Sequence, residues 1–327
     1  MRTLVLGALA AALLIRGVPA VGQTTVLTED FQTDPALRGW RVAGDASLFR
    51  WDADAGNLAV TWDSSRTNSY FYFPLNTTLT REDDFAFAFT VELAAINFGT
   101  TPDKPGTFEI SVGFLNFGQA TGPDFLRGTG SNSTNLVEWD YFPDSGFGAT
   151  ISSTIVSIQN QWAVSFNSPV PLDPGIAYDF KLRYEAQKHQ LVTTVRSAGE
   201  SVTLKTVVLD VAFDDFAVDA FAVSSYSDAG QNPGWAGSVL AHGAVDDVQL
   251  ELPTPPIRRF TGHARGGAWQ AEFTGWLGWR YTLKSSPDLH DWSAVGAAIA
   301  GTGQRQTLAD PQPLHEHSFY RLRADPL

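Results

Sequence analysis

The strongest constraint on this chain is a period of two that recurs along most of its length. Phe85, Phe87, Phe89, Val91 and Leu93 alternate with Asp84, Ala86, Ala88, Thr90 and Glu92. Phe108, Ile110, Val112 and Phe114 alternate with Glu109, Ser111 and Gly113, and Ile176, Tyr178, Phe180, Leu182 and Tyr184 with Ala177, Asp179, Lys181 and Arg183. Val202, Leu204, Thr206 and Val208 continue the habit. Side chains of a strand point to opposite faces in turn, so this period predicts strands with one buried and one more polar face. Parallel sheets would show continuous apolar runs with amphipathic helices between them, and no such helix is evident. More than ten strands of this kind before residue 256 predict a large antiparallel sandwich or jelly roll, beyond the size of an immunoglobulin module.

Two segments bound that sandwich. Arg2 followed by the apolar run Thr3–Ile15, then Ala20 and Gly22, has the build of a secretory signal peptide over residues 1–22, too short to persist as a spanning helix. No later stretch reaches the ~20 apolar residues that cross a bilayer, so no transmembrane segment is expected in the exported chain. Its expected location is secreted, periplasmic or at the cell surface. Residues 257–327 hold eight Lys or Arg against six Asp or Glu, while residues 23–256 hold 12 against 29. The shift falls at Pro253-Thr254-Pro255-Pro256, which reads as a stiff linker over 253–256. The expected organisation is a large domain over 23–252 and a small one over 257–327.

Composition removes several functions. With no cysteine, the chain has no disulfide framework, thiolate zinc site, iron–sulfur cluster or cysteine nucleophile. A formal charge of -13 argues against a nucleic-acid partner, which calls for a basic face. There is no Gly-x-Ser-x-Gly elbow, phosphate-cradling glycine loop or His-Glu-x-x-His. Asp52-Ala53-Asp54-Ala55-Gly56-Asn57 has the look of a calcium loop but lacks the later ligands, so a hairpin turn is expected there. His315 and His317 around Glu316 read as one face of a short strand rather than a metal site.

One segment carries concentrated chemistry: Asn135-Leu136-Val137-Glu138-Trp139-Asp140-Tyr141-Phe142-Pro143-Asp144. On a strand, Glu138 and Asp140 share a face ~7 Å apart, opposite Val137, Trp139 and Tyr141. Like charges so placed call for a cation, a proton or a substrate between them, unless both face solvent. An oxygen-rich pair of this sort suits Ca²⁺.

Together with Glu29-Asp30-Phe31, Gly39-Trp40 and Phe49-Arg50-Trp51-Asp52, this strand resembles the concanavalin A-like lectin/glucanase superfamily. The resemblance implies a jelly roll over roughly residues 25–252. In its legume-lectin branch a Val-Glu-x-Asp strand holds a manganese–calcium pair. Glu138 and Asp140 would then be metal ligands, with the Phe142 carbonyl and Asp144 beside them. Ala149 and Thr154 stand where the next Asp and the His of that family would be, which leaves a single Ca²⁺ as the implied cofactor. The laminarinase-type glycoside hydrolases instead use such a strand for catalysis, with the first Glu as nucleophile and the Asp tuning it. Glu138 and Asp140 match those two, while Phe142 and Pro143 occupy the places for the acid/base.

Aromatic side chains supply a second route to a glycan, because sugar C–H faces stack on their rings. Asn68-Ser69-Tyr70-Phe71-Tyr72-Phe73 predicts Phe71 and Phe73 in the core and Tyr70 and Tyr72 on an outer face as ligand contacts. Trp62 reads as core. Trp235, in the loop Gly230-Gln231-Asn232-Pro233-Gly234-Trp235, is a candidate contact together with Asn232. The leading expectation is a non-catalytic, lectin-like carbohydrate-binding protein taking a polysaccharide or glycan. A polysaccharide-cleaving enzyme and a structural or adhesive cell-surface protein are the alternatives.

The C-terminal segment, with Tyr281-Thr282-Leu283, Ser285-Ser286-Pro287-Asp288-Leu289, Trp292 and Phe319-Tyr320-Arg321, is similar to a small domain of exported proteins of Verrucomicrobia-like bacteria. It predicts a β-sandwich of five to seven strands with its Trp and Tyr residues as core. Attachment to the cell envelope, a spacer role and auxiliary glycan contact are all open for it.

Overall fold

A computed structural model describes residues 24–127, 132–253, 257–275, 279–302, 304–311 and 318–327. The signal-peptide segment, linker residues 254–256 and the His315–His317 pair lie outside the described residues. Through residue 253 the described residues form sixteen strands. They are β1 (Thr24–Glu29), β2 (Arg41–Ala43), β3 (Phe49–Asp52), β4 (Asn57–Asp63), β5 (Ser69–Thr80), β6 (Phe85–Phe98), β7 (Ile110–Leu115) and β8 (Leu136–Phe142). Then come β9 (Thr150–Val156), β10 (Trp162–Asn167), β11 (Ala177–Glu185), β12 (Gln190–Ser197), β13 (Glu200–Thr203), β14 (Val207–Val208), β15 (Ala217–Ser225) and β16 (Val239–Pro253). A four-residue helix, α1 (Phe117–Ala120), follows β7.

Two antiparallel sheets result. The nine-stranded sheet runs β13-β12-β11-β6-β16-β4-β3, with β1 added to β16 and β14 to β12; the seven-stranded sheet runs β10-β9-β8-β7-β15-β5-β2. Strands adjacent in space are often remote in sequence, as when β16 lies between β6 and β4. The expected all-β sandwich is therefore observed.

The alternating phenylalanines explain why the sheets pack. Phe87, Phe89 and Phe180 of the nine-stranded sheet meet Phe114, Trp139 and Phe221 of the seven-stranded one. Phe87 meets Phe114 edge-on at 5.1 Å between centroids, and Trp139 lies 4.7 Å from Phe180. Each such side chain removes on the order of 150–250 Å² from water, which makes this aromatic layer the main source of cohesion. The Asp52–Asn57 segment is the hairpin turn joining β3 and β4: Asp52 Oδ1 accepts the Asp54 and Ala55 amides, and Gly56 has a φ of 65°.

One departure from simple alternation matters for the site. β8 and β9 are buried on both faces, where the alternating pattern predicts one polar, open face. The connection between β7 and β8 accounts for part of this, because it lies back across the outer face of the seven-stranded sheet. Asn116 caps α1 by accepting the Gln119 amide, and its Nδ2 donates to Ala217 O. Asp219 accepts the Phe117 amide at 2.8 Å, and Asn135 Oδ1 accepts the Ala217 amide at 2.7 Å.

The C-terminal residues form two further small sheets, one of Arg258–Arg265, Ala268–Thr274 and Arg305–Asp310, the other of Trp279–Ser286, Ser293–Ala294, Ile299–Ala300 and Phe319–Pro326. Their own core is Ala271, Phe273, Tyr281, Leu283 and Leu308. Tyr281 is core as expected, while Trp269 and Trp279 are only partly buried and pack against that core, Trp269 stacking on Tyr320 at 3.9 Å. Trp292 lies under the Arg321 guanidinium at 4.2 Å. Phe273 and Tyr281 pack at 5.0 Å within that core.

Candidate functional site: a buried acid cluster and an exposed tryptophan

β8 pairs with β7 so that Asp140 lies opposite Ser111 and Glu138 opposite Gly113. Gly113 is required there, since a Cβ would stand 2.4 Å from Val137 O and 2.7 Å from Glu138 Cα. Both carboxylates thus share the outer face of the seven-stranded sheet, as the period-two reading predicts. They do not face solvent. Glu138 is 0% and Asp140 1% exposed, because residues of the β7–β8 connection lie over them.

Arg127, on that connection, is the counter-ion. Its guanidinium is 3.3 Å from Glu138 Oε2, 3.3 Å from Asp140 Oδ2 and, through Nε, 3.1 Å from Glu109 Oε1. The contact with Glu109 is close but misaligned, and neither of its two atoms has a hydrogen-bond partner. The guanidinium also lies over the rings of Trp162 at 5.0 Å and Tyr226 at 5.5 Å. Tyr226 OH donates to Glu138 Oε1. Ser111 Oγ and Thr154 Oγ1 donate to the two oxygens of Asp140 at 2.7 and 2.5 Å.

The electrostatics follow from three carboxyl groups around one buried cation. Desolvation pushes the Glu138 carboxyl up to about 7; Arg127 opposes this, Asp140 adds to it, and the Tyr226 hydroxyl opposes it. Desolvation also raises Glu109 well above the usual carboxylate range, against the pull of Arg127. For Arg127, burial alone would lower the pKa, but Glu109, Asp140 and Glu138 outweigh it, so the guanidinium stays charged. The cluster thus holds one permanent cation, and burial favours the protonated forms of Glu109 and Glu138. With Glu109 3% and Arg127 2% exposed, it has no open face toward a polymer in solvent.

The expected calcium ligands do not fit a metal. The two acids that would bind it are already engaged by Arg127, Ser111, Thr154 and Tyr226. Asp144 stands apart, exposed, with Oδ1 accepting the Gly146 amide at 3.0 Å, and Phe142 is half-buried at the end of β8. A guanidinium already supplies the positive charge, and a divalent ion beside it would meet like charge.

The expected tyrosine platform is also corrected. Tyr70 is 1% and Tyr72 8% exposed. Tyr70 OH donates to Ala120 O at 2.8 Å, and Tyr72 stacks on Phe117 at 4.0 Å. Both rings lie under residues of α1. Trp62 is core at 1% exposure.

Of the aromatic contacts expected from the sequence, Trp235 is the exposed one. It is 69% exposed at the end of a 3-10 turn (Pro233–Trp235) capped by Asn232, whose Oδ1 accepts the Gly234 amide. The loop is tied at both ends. Gln231 exchanges two hydrogen bonds with Gly237 at 2.9 and 2.7 Å, and Lys104 Nζ meets Asp228 Oδ1 at 2.5 Å. Gly230 packs against Leu126, so this loop abuts the connection that covers the acid cluster. Arg127, Glu109 and Tyr226 were not singled out as site residues. They come from three separate connections, and no local motif marks them.

The large unit is a two-sheet antiparallel β-sandwich. It is similar to a Lotus tetragonolobus seed lectin (TM-score 0.46, 13% identity, 72% of this chain and all of that one). It is also similar to a legume lectin-like domain from Entamoeba histolytica (0.38, 10%, 68% and 95%) and to an alginate lyase (0.35, 11%, 69% and 96%). This likeness assigns no ligand. No sequence family and no curated protein matches the chain.

Proposed function

We propose that this chain is an exported, non-catalytic glycan-binding protein that contacts its ligand at the end of the sandwich around Trp235. The observation that carries this reading is an indole left 69% exposed on a loop held at both ends by hydrogen bonds and an ion pair. Such a ring offers a preordered apolar plate for the C–H face of a sugar, at little entropic cost. Asn232 beside it is exposed and supplies amide hydrogen-bonding groups. The non-catalytic reading rests on the acids: Glu138 and Asp140 are spent on Arg127 beneath a covering connection, and a retaining hydrolase needs two accessible carboxyls ~5.5 Å apart. Recognition in this form needs no calcium.

The test is retention on immobilised polysaccharides, with released reducing ends assayed in parallel. Retention without product, lost in Trp235→Ala, supports the reading. Product that disappears in Glu138→Gln would replace it with a hydrolase. Neither retention nor product would favour a structural or adhesive surface protein.

A further inference from the structure

On the opposite side of the sandwich, the outer face of the nine-stranded sheet carries a groove of about 470 Å³. Its floor is Ala59 of β4, Ala94 of β6, and Gly243 and Ala244 of β16. Alanine and glycine are depleted in strands, and an antiparallel outer face normally carries long polar side chains that cover the backbone. Here four small residues from three strands, distant in sequence, meet at one spot. The register shifts beside them: His242 pairs with Ala95 and Gly243 with Leu93, leaving Ala94 as a bulge. A Cβ on Gly243 would stand 2.4 Å from Glu92 O, so nothing larger fits without moving the sheet. Bulges and strand glycines mark places where a ligand approaches the backbone closely.

The walls are polar and mostly planar: Arg50, Asp52, Asn57, Thr61, Glu92 and His242. Two of these contacts are prearranged, Arg50 to Asp52 at 2.7 Å and Thr61 Oγ1 to His242 Nδ1 at 3.0 Å. Hydrogen bonds from the Ala55 amide and Arg50 hold the Asp52 carboxyl below the usual carboxylate range, so it stays ionised. Among the described residues, the side chains of Asn57 and Glu92 have no hydrogen-bond partner in the protein.

We infer that this groove is a second glycan subsite, taking one neutral hexopyranose unit with its C–H face on the alanine floor and its hydroxyls on Asn57, Glu92, Asp52 and His242. The inference rests on the glycan-binding reading of the chain. Neutrality follows from charge: Asp52 and Glu92 outnumber Arg50, itself paired, within a chain of net charge -13, so uronate or sulfated units are repelled.

The experiment is calorimetric titration of the full chain with neutral hexasaccharides (β-1,3-glucan, β-1,4-mannan and β-1,4-xylan series) and with a hexauronate. The variants are Ala59→Leu, which fills the floor, Asn57→Ala with Glu92→Ala, which strips the walls, and Trp235→Ala. We expect a neutral hexasaccharide to bind, both groove variants to weaken it at least tenfold with unchanged unfolding midpoints, and the hexauronate to give no heat. Binding weakened by Trp235→Ala but untouched by the two polar substitutions would overturn the groove and leave the glycan reading standing. Tighter binding of the hexauronate would overturn the assignment of a neutral unit. No binding of any saccharide by the unaltered chain would overturn both readings.

Discussion

The two outer faces of the sandwich treat their carboxylates in opposite ways. On the seven-stranded sheet, Glu138, Asp140 and Glu109 are sealed under a connection that brings its own cation, Arg127. On the nine-stranded sheet, Asp52 and Glu92 rim an open groove floored by alanines. The residue types are alike; what differs is cover. Where a covering segment supplies the counter-charge, the acids hold the fold together. Where the strands place small residues instead, the acids border open space, even though Asp52 is paired with Arg50. A pair of acids on one strand face is therefore read correctly only after its ceiling is known.

The sharpest way to break this contrast is to remove the sealed cation. Arg127→Ala leaves three buried carboxyls without compensation and should cost about 3–5 kcal/mol, read as a lowered urea midpoint. A loss below about 1 kcal/mol would show that the cluster is solvated and the two faces alike.

A pH series separates them next. In the folded chain the Glu138 carboxyl is pushed up to about 7, against an ordinary value of 4.5. A raised acid means that the folded state keeps a proton the unfolded state has released. Its contribution is fully present below about pH 4.5 and is lost as pH rises toward 7, by on the order of a few kcal/mol. Glu138→Gln should flatten that part of the stability profile. Asp52 and Glu251, held below the usual range, act the other way and lose their contribution only in more acid solution. An identical slope in wild type and Glu138→Gln between pH 4.5 and 7.5 would refute the proton-holding cluster.

Smaller effects sharpen the comparison from the open side. Arg183, 45% exposed and 2.6 Å from Glu251 on the nine-stranded sheet, should give up less than about 1 kcal/mol when replaced by alanine, because solvent screens the pair. Trp235→Ala should leave the midpoint within about 0.5 kcal/mol while reducing retention on polysaccharide at least tenfold, the signature of a surface contact rather than a core one.

Much of the architecture was legible in the alternation. Phe85 to Leu93 and Phe108 to Phe114 mark the strands and their buried faces, and the placement of Trp139 opposite Glu138 and Asp140 follows from spacing alone. Tyr70 and Tyr72 show where that reasoning stops. Period two assigns them correctly to the face away from Phe71, yet α1 buries that face as well. The metal reading meets a related obstacle, since an arginine eleven residues before Glu138 already lies against both acids, and nothing local announces it.

By itself, the sequence determined the class of fold, the absence of cysteine chemistry, the acidic character of the large sandwich and the strand face on which each carboxylate sits. These depend on local geometry and composition, which the order of residues carries directly. Only the tertiary structure decided which acids are sealed, which aromatic rings stay in water and where alanines from three strands meet to form a groove. Those outcomes depend on which segment lies over which sheet face, a pairing between residues often a hundred or more positions apart.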